Sequence, residues 1–374
     1  MGNHQGYKKI KEDTLSGRYI HHDHLVPCLK KLQSLIKIEE VGTSVNGLPI
    51  EKITVGQGPI KVLMWSQMHG NESTTTKAVF DLINALTSGY ENANKLLEKL
   101  RLVIIPMLNP DGALAYIRVN ANGVDLNRDA RDRAQPESKV LRAVFDSFSP
   151  DFCFNLHDQR TIFSAGPVPK PATLSFLSPA ADSLRTVTAN RLKGINLIAA
   201  INEELQQFIP GQIGRYDDAF NENCVGDTFQ MLGTPTILFE AGHFQGDYQR
   251  EITRQYMFMS LWKALEVVAF DPLDSNREKD YAAIPENKKC FFDILVYNAH
   301  LLNTNLEVGK AVGILFKEQL QKGKILLQPV IEKTGVLDGH FGHLTYDCTN
   351  PKDMIGLKNN ESIVNLINSS LRNK

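Results

Sequence analysis

The chain has 374 residues, of which 42% are hydrophobic and 22% charged, so wholesale disorder is excluded and there is length for two domains. Forty-one basic residues against 42 acidic ones leave a net charge of −1, which gives no general footprint for nucleic acid or an anionic membrane. No run approaches the roughly 20 apolar residues of a spanning helix, and five cysteines without a CxxC pair argue against a disulfide framework or a cysteine-based zinc site.

The first 45 residues are polar and read as helix or coil, with no apolar stretch of the kind a secretory signal needs, so a cytoplasmic protein is expected. His21, His22 and His24 look metal-like, but on this segment they are expected to be solvated. Asn46 to Gln57 reads as a turn and a strand, and Ile60 to Ser66 as a strand buried on both faces. Ser73 to Thr87 has helical periodicity, Lys95 to Leu100 continues helically, and Leu102 to Met107 is another buried strand. Asn109 to Gln135 is long and polar, and a loop of that length inside a domain is usually functional. Pro136 to Phe148 reads as a helix with proline in its first turn. Asp151 to Leu156 and Thr236 to Glu240 read as strands, Ser183 to Phe208 as largely helical, and Gln249 to Phe270 as a long amphipathic helix.

Buried strands alternating with helices predict an α/β fold with a mixed, largely parallel central sheet flanked by helices. The catalytic domain is expected over 1–272, its first 45 residues an extension. After Asp271 the stretch PLDSNREKDYAAIPENKK reads as a linker. Strand-like runs such as CFFDILVYN, VGILF and HLTYD then predict a small β-rich domain over 286–374, with a terminal helix from Glu361.

Four elements carry chemistry. His69-Gly70-Asn71-Glu72 follows a buried strand, and a His and a Glu three apart can meet one cation from a short segment. His157 ends the strand 151–156, and a third ligand from a separate strand end completes two histidines and a glutamate with an open position, the donor set of catalytic zinc. Glu240 ends a third buried strand, where an anion is costly without a purpose. The loop after strand 102–107 holds NPDG at 109–112, Arg118 and GVDLNRD at 123–129. Arg118 and Arg128 offer forked donors to carboxylate or carbonyl oxygens, with Asn127 as a neutral helper.

In the order and spacing of these segments the sequence resembles the zinc carboxypeptidases of the carboxypeptidase A type over about residues 45–268. The RVNANGVDLNRD wording is closest to the bacterial murein-peptide amidases of that family. The resemblance implies a zinc carboxypeptidase-like fold and one zinc ion per chain held by His69, Glu72 and His157. It implies that Arg118 polarises the scissile carbonyl, that Asn127 and Arg128 hold the substrate's terminal carboxylate, and that Glu240 is the general base. The family's mobile tyrosine has no clean counterpart: Tyr216 is the only tyrosine upstream of Glu240 in the stretch GRYDDAFNENCVGDTFQ, and is the candidate for a substrate contact. Asp158, next to His157, could support the ligands from behind, although adjacency in sequence does not establish contact. Asp227 could meet a basic side chain or an amine.

The expected activity is therefore zinc-dependent hydrolysis of an amide bond beside a free carboxylate, on a peptide or acyl-amino-acid substrate, with no nucleic-acid or membrane partner. Two alternatives stand beside it. One is an N-acyl-amino-acid deacylase of the aspartoacylase and succinylglutamate desuccinylase kind, which also appends a C-terminal β domain. The other is a catalytically inactive zinc protein that binds peptide or carbohydrate.

Overall fold

The structure is a computed structural model that describes residues 4–370; residues 1–3 of the N-terminal extension and 371–374 beyond the terminal helix lie outside the described residues. In chain order the elements are α1 (His4–Ile10), α2 (His22–Leu32), β1 (Lys37–Thr43), β2 (Pro49–Val55), β3 (Ile60–Ser66), α3 (Thr74–Ser88), α4 (Ala93–Lys99), β4 (Leu100–Ile105), α5 (Pro110–Ala115), α6 (Pro136–Phe148), β5 (Phe152–Asp158), β6 (Ser164–Ala165) and β7 (Leu174–Leu177). They continue with α7 (Ala189–Leu205), β8 (Ile213–Arg215), α8 (Val225–Met231), β9 (Thr236–Ala241), α9 (Glu251–Phe270), α10 (Glu278–Ala282), β10 (Asn287–Lys288), β11 (Phe291–Tyr297), β12 (Ala311–Gln321), β13 (Lys324–Gly335), β14 (Phe341–Asp347), α11 (Pro351–Lys358) and α12 (Glu361–Ser370). No helix among the described residues is long and apolar enough to cross a membrane.

The chain divides into two compact units. The first takes the described residues up to Arg160 together with Thr173–Glu286, and the second takes Thr161–Ala172 with the described residues from Asn287 onward. The first unit holds an eight-stranded mixed sheet in the order β1-β2-β4-β3-β5-β9-β7-β8. Its centre, β4-β3-β5-β9, is parallel. The chain runs from β3 to β4 on one side and then to β5 on the other, and such a reversal opens a crevice at the carboxyl ends of the strands.

Side chains alternate across the sheet. Phe154 and Leu156 of β5 join a core with α3, α7 and α9, while Cys153 joins the opposite core with Trp65 and with Phe145 of α6 and Phe229 of α8. Asn155 and His157 follow the parity of Cys153. Each core buries its large side chains almost completely, and at about 25 cal/mol per Å² of apolar surface this burial is the main force holding the layers together.

Several elements depart from the sequence expectation. Lys37–Thr43 is a strand at the sheet edge, where three charged side chains are tolerated because no buried face is demanded of it. The loop 109–135 contains α5 and a 3-10 turn at Leu126–Arg128. The short strands β7 and β8 and the helix α11 carry no periodic signal long enough to read. The helix α9 is not amphipathic: its buried residues run from Thr253 and Arg254 to Val267 and Val268 around several sides. Part of the expected linker is packed, with Tyr281 of α10 and Ile284 buried in the first unit's core and the Tyr281 hydroxyl 3.2 Å from the Ser178 amide.

The second unit is built on a four-stranded sheet in the order β13-β12-β11-β14. The β12–β13 hairpin pairs from Ala311–Gly335 to Gln321–Lys324. Ile294, Val296, Val312 and Ile314 pack with Leu357 of α11 and with Ile363 and Ile367 of α12. The two-residue strand β6 pairs antiparallel with β10 in the same unit, Ser164 opposite Lys288.

Candidate metal centre

The strand β3 ends at Ser66, and three residues later the chain presents His69. The loop that carries it is held from two sides. Asn109 donates from Nδ2 to the Met68 carbonyl at 3.1 Å, and its Oδ1 accepts from the Gly112 amide at 2.9 Å. The HGNE and NPDG loops approach so closely that a Cβ on Gly70 would sit 1.8 Å from the Gly112 carbonyl carbon, so no other residue fits there. On the other side the N-terminal extension packs, with Gln67 donating to the Ile20 carbonyl at 2.7 Å and Ser73 to the Arg18 carbonyl at 2.6 Å.

His69, Glu72 and His157 converge. His69 Nδ1 lies 2.9 Å from Glu72 Oε1, His157 Nδ1 lies 2.9 Å from Glu72 Oε2, and the two Nδ1 atoms are 3.1 Å apart. All three side chains are buried and their donor atoms lie within 4.8 Å of one another. Two imidazole nitrogens facing each other across a carboxylate are poorly matched unless a cation sits among them. His69 Nε2 is already used, 3.0 Å from Asp125 Oδ1, which leaves Nδ1 for the cluster. His157 Nε2 is buried and makes no hydrogen bond among the described residues.

The electrostatics also call for positive charge. Burial pushes the Glu240 carboxyl upward, and the Glu72 and Asp158 charges push it further, well above the usual carboxylate range, with Arg118 and Arg250 pulling the other way. Burial acts against the charged form of Glu72 too, but the His69 and His157 partners hold its carboxyl well below the usual range. Burial also opposes the Asp125 anion, and the His69 hydrogen bond, with Arg118 beside it, outweighs that and lowers its carboxyl. Three carboxylates gathered around two histidines suit a divalent cation, and the two-histidine, one-glutamate set fits zinc.

The parallel register of β5 and β9 sets His157 directly beside Glu240. Glu240 Oε2 is buried and makes no hydrogen bond among the described residues. Arg118 bridges the rim: Nε donates to Asp125 Oδ2 at 3.0 Å and Nη1 to Glu72 Oε1 at 3.3 Å, and the side chain is 43% exposed. Tyr216 is half-buried, its amide bonded to the Phe176 carbonyl at 3.1 Å. Burial raises its hydroxyl well above the usual range, and the Glu240 and Glu72 charges, which act on it from the cluster, raise it further. Asn127 and Arg128 follow Asp125 by two and three residues and reach the start of α8. Asn127 Oδ1 accepts from the Val225 amide at 3.0 Å, and Arg128 Nη1 donates to Cys224 Sγ at 3.0 Å. Arg128 is exposed, and its Nη2 makes no hydrogen bond among the described residues.

Asp158 supports the cluster through its backbone, and its carboxylate does not face His157. Successive strand residues face opposite sides, and its carboxylate turns to α3, accepting from the Thr74 and Thr75 amides at 2.8 and 3.3 Å, while its own amide donates to Glu72 Oε2 at 3.1 Å. Of the N-terminal histidines, His24 is exposed as expected, while His21 and His22 are half-buried: His22 Nε2 lies 2.7 Å from Glu51 Oε1, and the His21 and His24 rings are 3.9 Å apart. His243, at the end of β9, faces the guanidinium of Arg250 at 2.8 Å. Sequence reasoning missed the placement of Asp125 against His69 and of Arg250 against His243. Asp125 could have been suspected from its place between the two arginines of the 118–128 segment; Arg250 had no local signal.

Residues 25–157 match the family described as zinc carboxypeptidase. That stretch ends on His157 and takes in His69, Glu72, Arg118, Asn127 and Arg128, while Tyr216 and Glu240 lie beyond it. Carboxypeptidase 2 of Trichophyton rubrum is 32% identical over 108 residues, 28% of this chain and 19% of that protein. Carboxypeptidase M of Mus musculus is 29% identical over 174 residues, 38% of this chain and 39% of that protein. The chain thus spans well under half the length of these curated relatives. Among solved structures, a metallo-carboxypeptidase from Burkholderia cenocepacia superposes with a TM-score of 0.53 at 19% identity, covering 66% of this chain and 70% of the other. A metallo-carboxypeptidase from Pseudomonas aeruginosa, in complex with (2-guanidinoethylmercapto)succinic acid, gives 0.52 at 19% identity over 66% and 68%. The fold is that of the zinc carboxypeptidases.

Proposed function

We propose that the protein is a zinc-dependent hydrolase of the metallocarboxypeptidase type, cleaving an amide bond next to a free carboxylate. The observation that carries this reading is the convergence of His69, His157 and Glu72 directly beside the buried carboxylate of Glu240. His69, Glu72 and His157 would hold the ion. When bound, zinc supplies a Lewis acid that polarises a carbonyl and lowers the pKa of a water toward about 7.

The chain's own residues do the rest. Glu240 takes the proton from the attacking water and returns it to the leaving nitrogen, a task its buried position beside His157 suits. Arg118, at the rim, directs N–H donors toward the oxygen that gains charge as the carbonyl is attacked, an effect worth about 2.7–4 kcal/mol per donor. Arg128 and Asn127 grip the terminal carboxylate of the substrate, the guanidinium by its fork. We assign Tyr216 a substrate contact because the Glu240 and Glu72 charges act on its hydroxyl.

The test is hydrolysis of an N-acyl dipeptide with a free C-terminus by the zinc-loaded protein, set against the same peptide amidated and against N-acyl amino acids. Chelator-sensitive cleavage of the free acid is expected, with the amide a poor substrate. The separate four-stranded sheet of the second unit favours the deacylase alternative; cleavage confined to N-acyl amino acids would replace the carboxypeptidase reading with that one.

A further inference from the structure

Arg250 is an unusual residue at the start of α9. It is fully buried, and its backbone is in the left-handed region at φ +59°, where a side chain other than glycine is held only if its surroundings over-determine it. Its guanidinium lies between two strand tips. Nη1 donates to the Ala241 carbonyl at 3.0 Å and to the Gly242 carbonyl, Nη2 donates to the Gln159 carbonyl at 2.9 Å, and Nη2 also faces His243 Nε2 at 2.8 Å.

Those carbonyls have a common place in the fold. Ala241 and Gly242 are the two residues after Glu240, and Gln159 is the second residue after His157. The β5–β9 ladder ends at Asp158 opposite Ala241, and the Gln159 amide makes one more bond, to the Ala241 carbonyl at 2.7 Å. Beyond it the strands part, as Gly242 turns to bond the Thr173 carbonyl at 2.8 Å. The Gly242 and Gln159 carbonyls at such a parting need donors, and the planar fork of arginine reaches both of them, with the already bonded Ala241 carbonyl, at once.

We propose that Arg250 is a positioning residue: its guanidinium clasps the tips of β5 and β9 and thereby fixes the separation between His157 and Glu240. Its relevance to turnover rests on the proposed role of Glu240 as base. The clasp acts on geometry during the chemical step and touches neither the arginines that grip substrate nor the ion itself, so its loss lowers kcat with little change in KM or metal content.

The test uses Arg250→Gly, which suits a left-handed backbone and leaves a cavity of guanidinium shape, and Arg250→Lys, which keeps the charge without the fork. Both are expected to bind about one zinc per chain with KM within about twofold of the parent, while kcat falls about tenfold or more in the glycine variant. Millimolar guanidinium ion should restore part of that kcat, and ammonium ion should not. Independently of activity, exchange of the Gln159 amide should quicken about tenfold or more, while that of Leu63 in β3 stays slow. Unchanged kcat, a loss that guanidinium does not repair, or Gln159 exchange as slow as in the parent overturns the clasp. Failure of both variants to fold also overturns it, because Arg250 would then determine the fold rather than the site. A parent protein that hydrolyses none of the substrates refutes the functional reading, and Gln159 exchange still decides the clasp.

Discussion

His69 Nε2 lies 3.0 Å from Asp125 Oδ1, and this bond turns the ring so that Nδ1 faces Glu72 and His157. A carboxylate behind a ligating histidine fixes its tautomer and raises its basicity. Asp125→Asn keeps the shape but removes the charge. Zinc affinity should fall about 10–100-fold in competition with a chromophoric chelator. An affinity equal to the parent's would show that the bond does not serve the metal.

Ligand and base should separate cleanly. His157→Ala should lose the zinc ion, because two donors cannot complete the set. Glu240→Gln should keep it, measured by metal analysis, and lose about a hundredfold or more in turnover because the amide cannot take a proton. Full zinc retention in His157→Ala would remove that residue from the metal site.

The two arginines should differ in kind. In the proposed mechanism Arg128 grips a carboxylate present in ground and transition states alike, so Arg128→Ala should mainly raise KM. Arg118 in that mechanism meets charge that develops only later, so Arg118→Ala should mainly lower kcat. Steady-state kinetics on free-acid and amidated peptides checks both. A parent that cleaves the two equally well has no carboxylate grip.

Asp227 makes stability depend on pH. Burial lifts its carboxyl to about 7, against the lowering effects of Cys224 and Arg128, whereas an unfolded aspartate titrates near about 3.9. The native state therefore holds the extra proton between those values, and stability falls as pH rises through that window. Asp227→Asn removes the penalty. Its urea midpoint should gain on the parent's at pH 8 and not at pH 4; the same difference at both values would contradict the assignment.

Asp81 and Arg254 are both fully buried and paired, with Arg254 Nε and Nη2 at 2.7 and 2.6 Å from the carboxylate. Tyr7 and the Glu12 amide, both of the N-terminal extension, bond the same carboxylate at 2.7 Å. Asp81→Ala should cost about 3–5 kcal/mol in urea unfolding, because it strands a buried cation. Asp81→Leu with Arg254→Met should recover much of that loss. No cost in the single variant would count against the pair.

The cluster of His69, Glu72 and His157 was legible because strand ends are visible as apolar runs that stop at a polar residue, and the parallel sheet then carries those ends to one edge. The position of Glu240 beside His157 is readable in the same way. What escaped was set by tertiary approach. Asp125 reaches His69 across 56 positions of chain, and no local pattern records that. The direction of the Asp158 carboxylate is equally hidden, because adjacency in a strand means opposite faces. Arg250, an arginine opening a helix, reads as a surface residue; its burial joins the nearby tip of β9, eight and nine residues before it, to Gln159, 91 residues away, and only the structure brings the two together. The edge strand β1 was unreadable for the opposite reason: with little to bury, it needs no apolar alternation.

The pairing of β6 with β10 has a consequence for the order in which the chain can fold during synthesis. Thr161 to Ala172 leaves the ribosome immediately after His157, but its partner strand begins only at Asn287. A nascent chain can therefore close the eight-stranded sheet around the ligand cluster while the segment between β5 and β7 still waits for its partner. A chain cut after Glu286 would leave β6 without β10, so the second unit is discontinuous in sequence and cannot be removed as a simple tail.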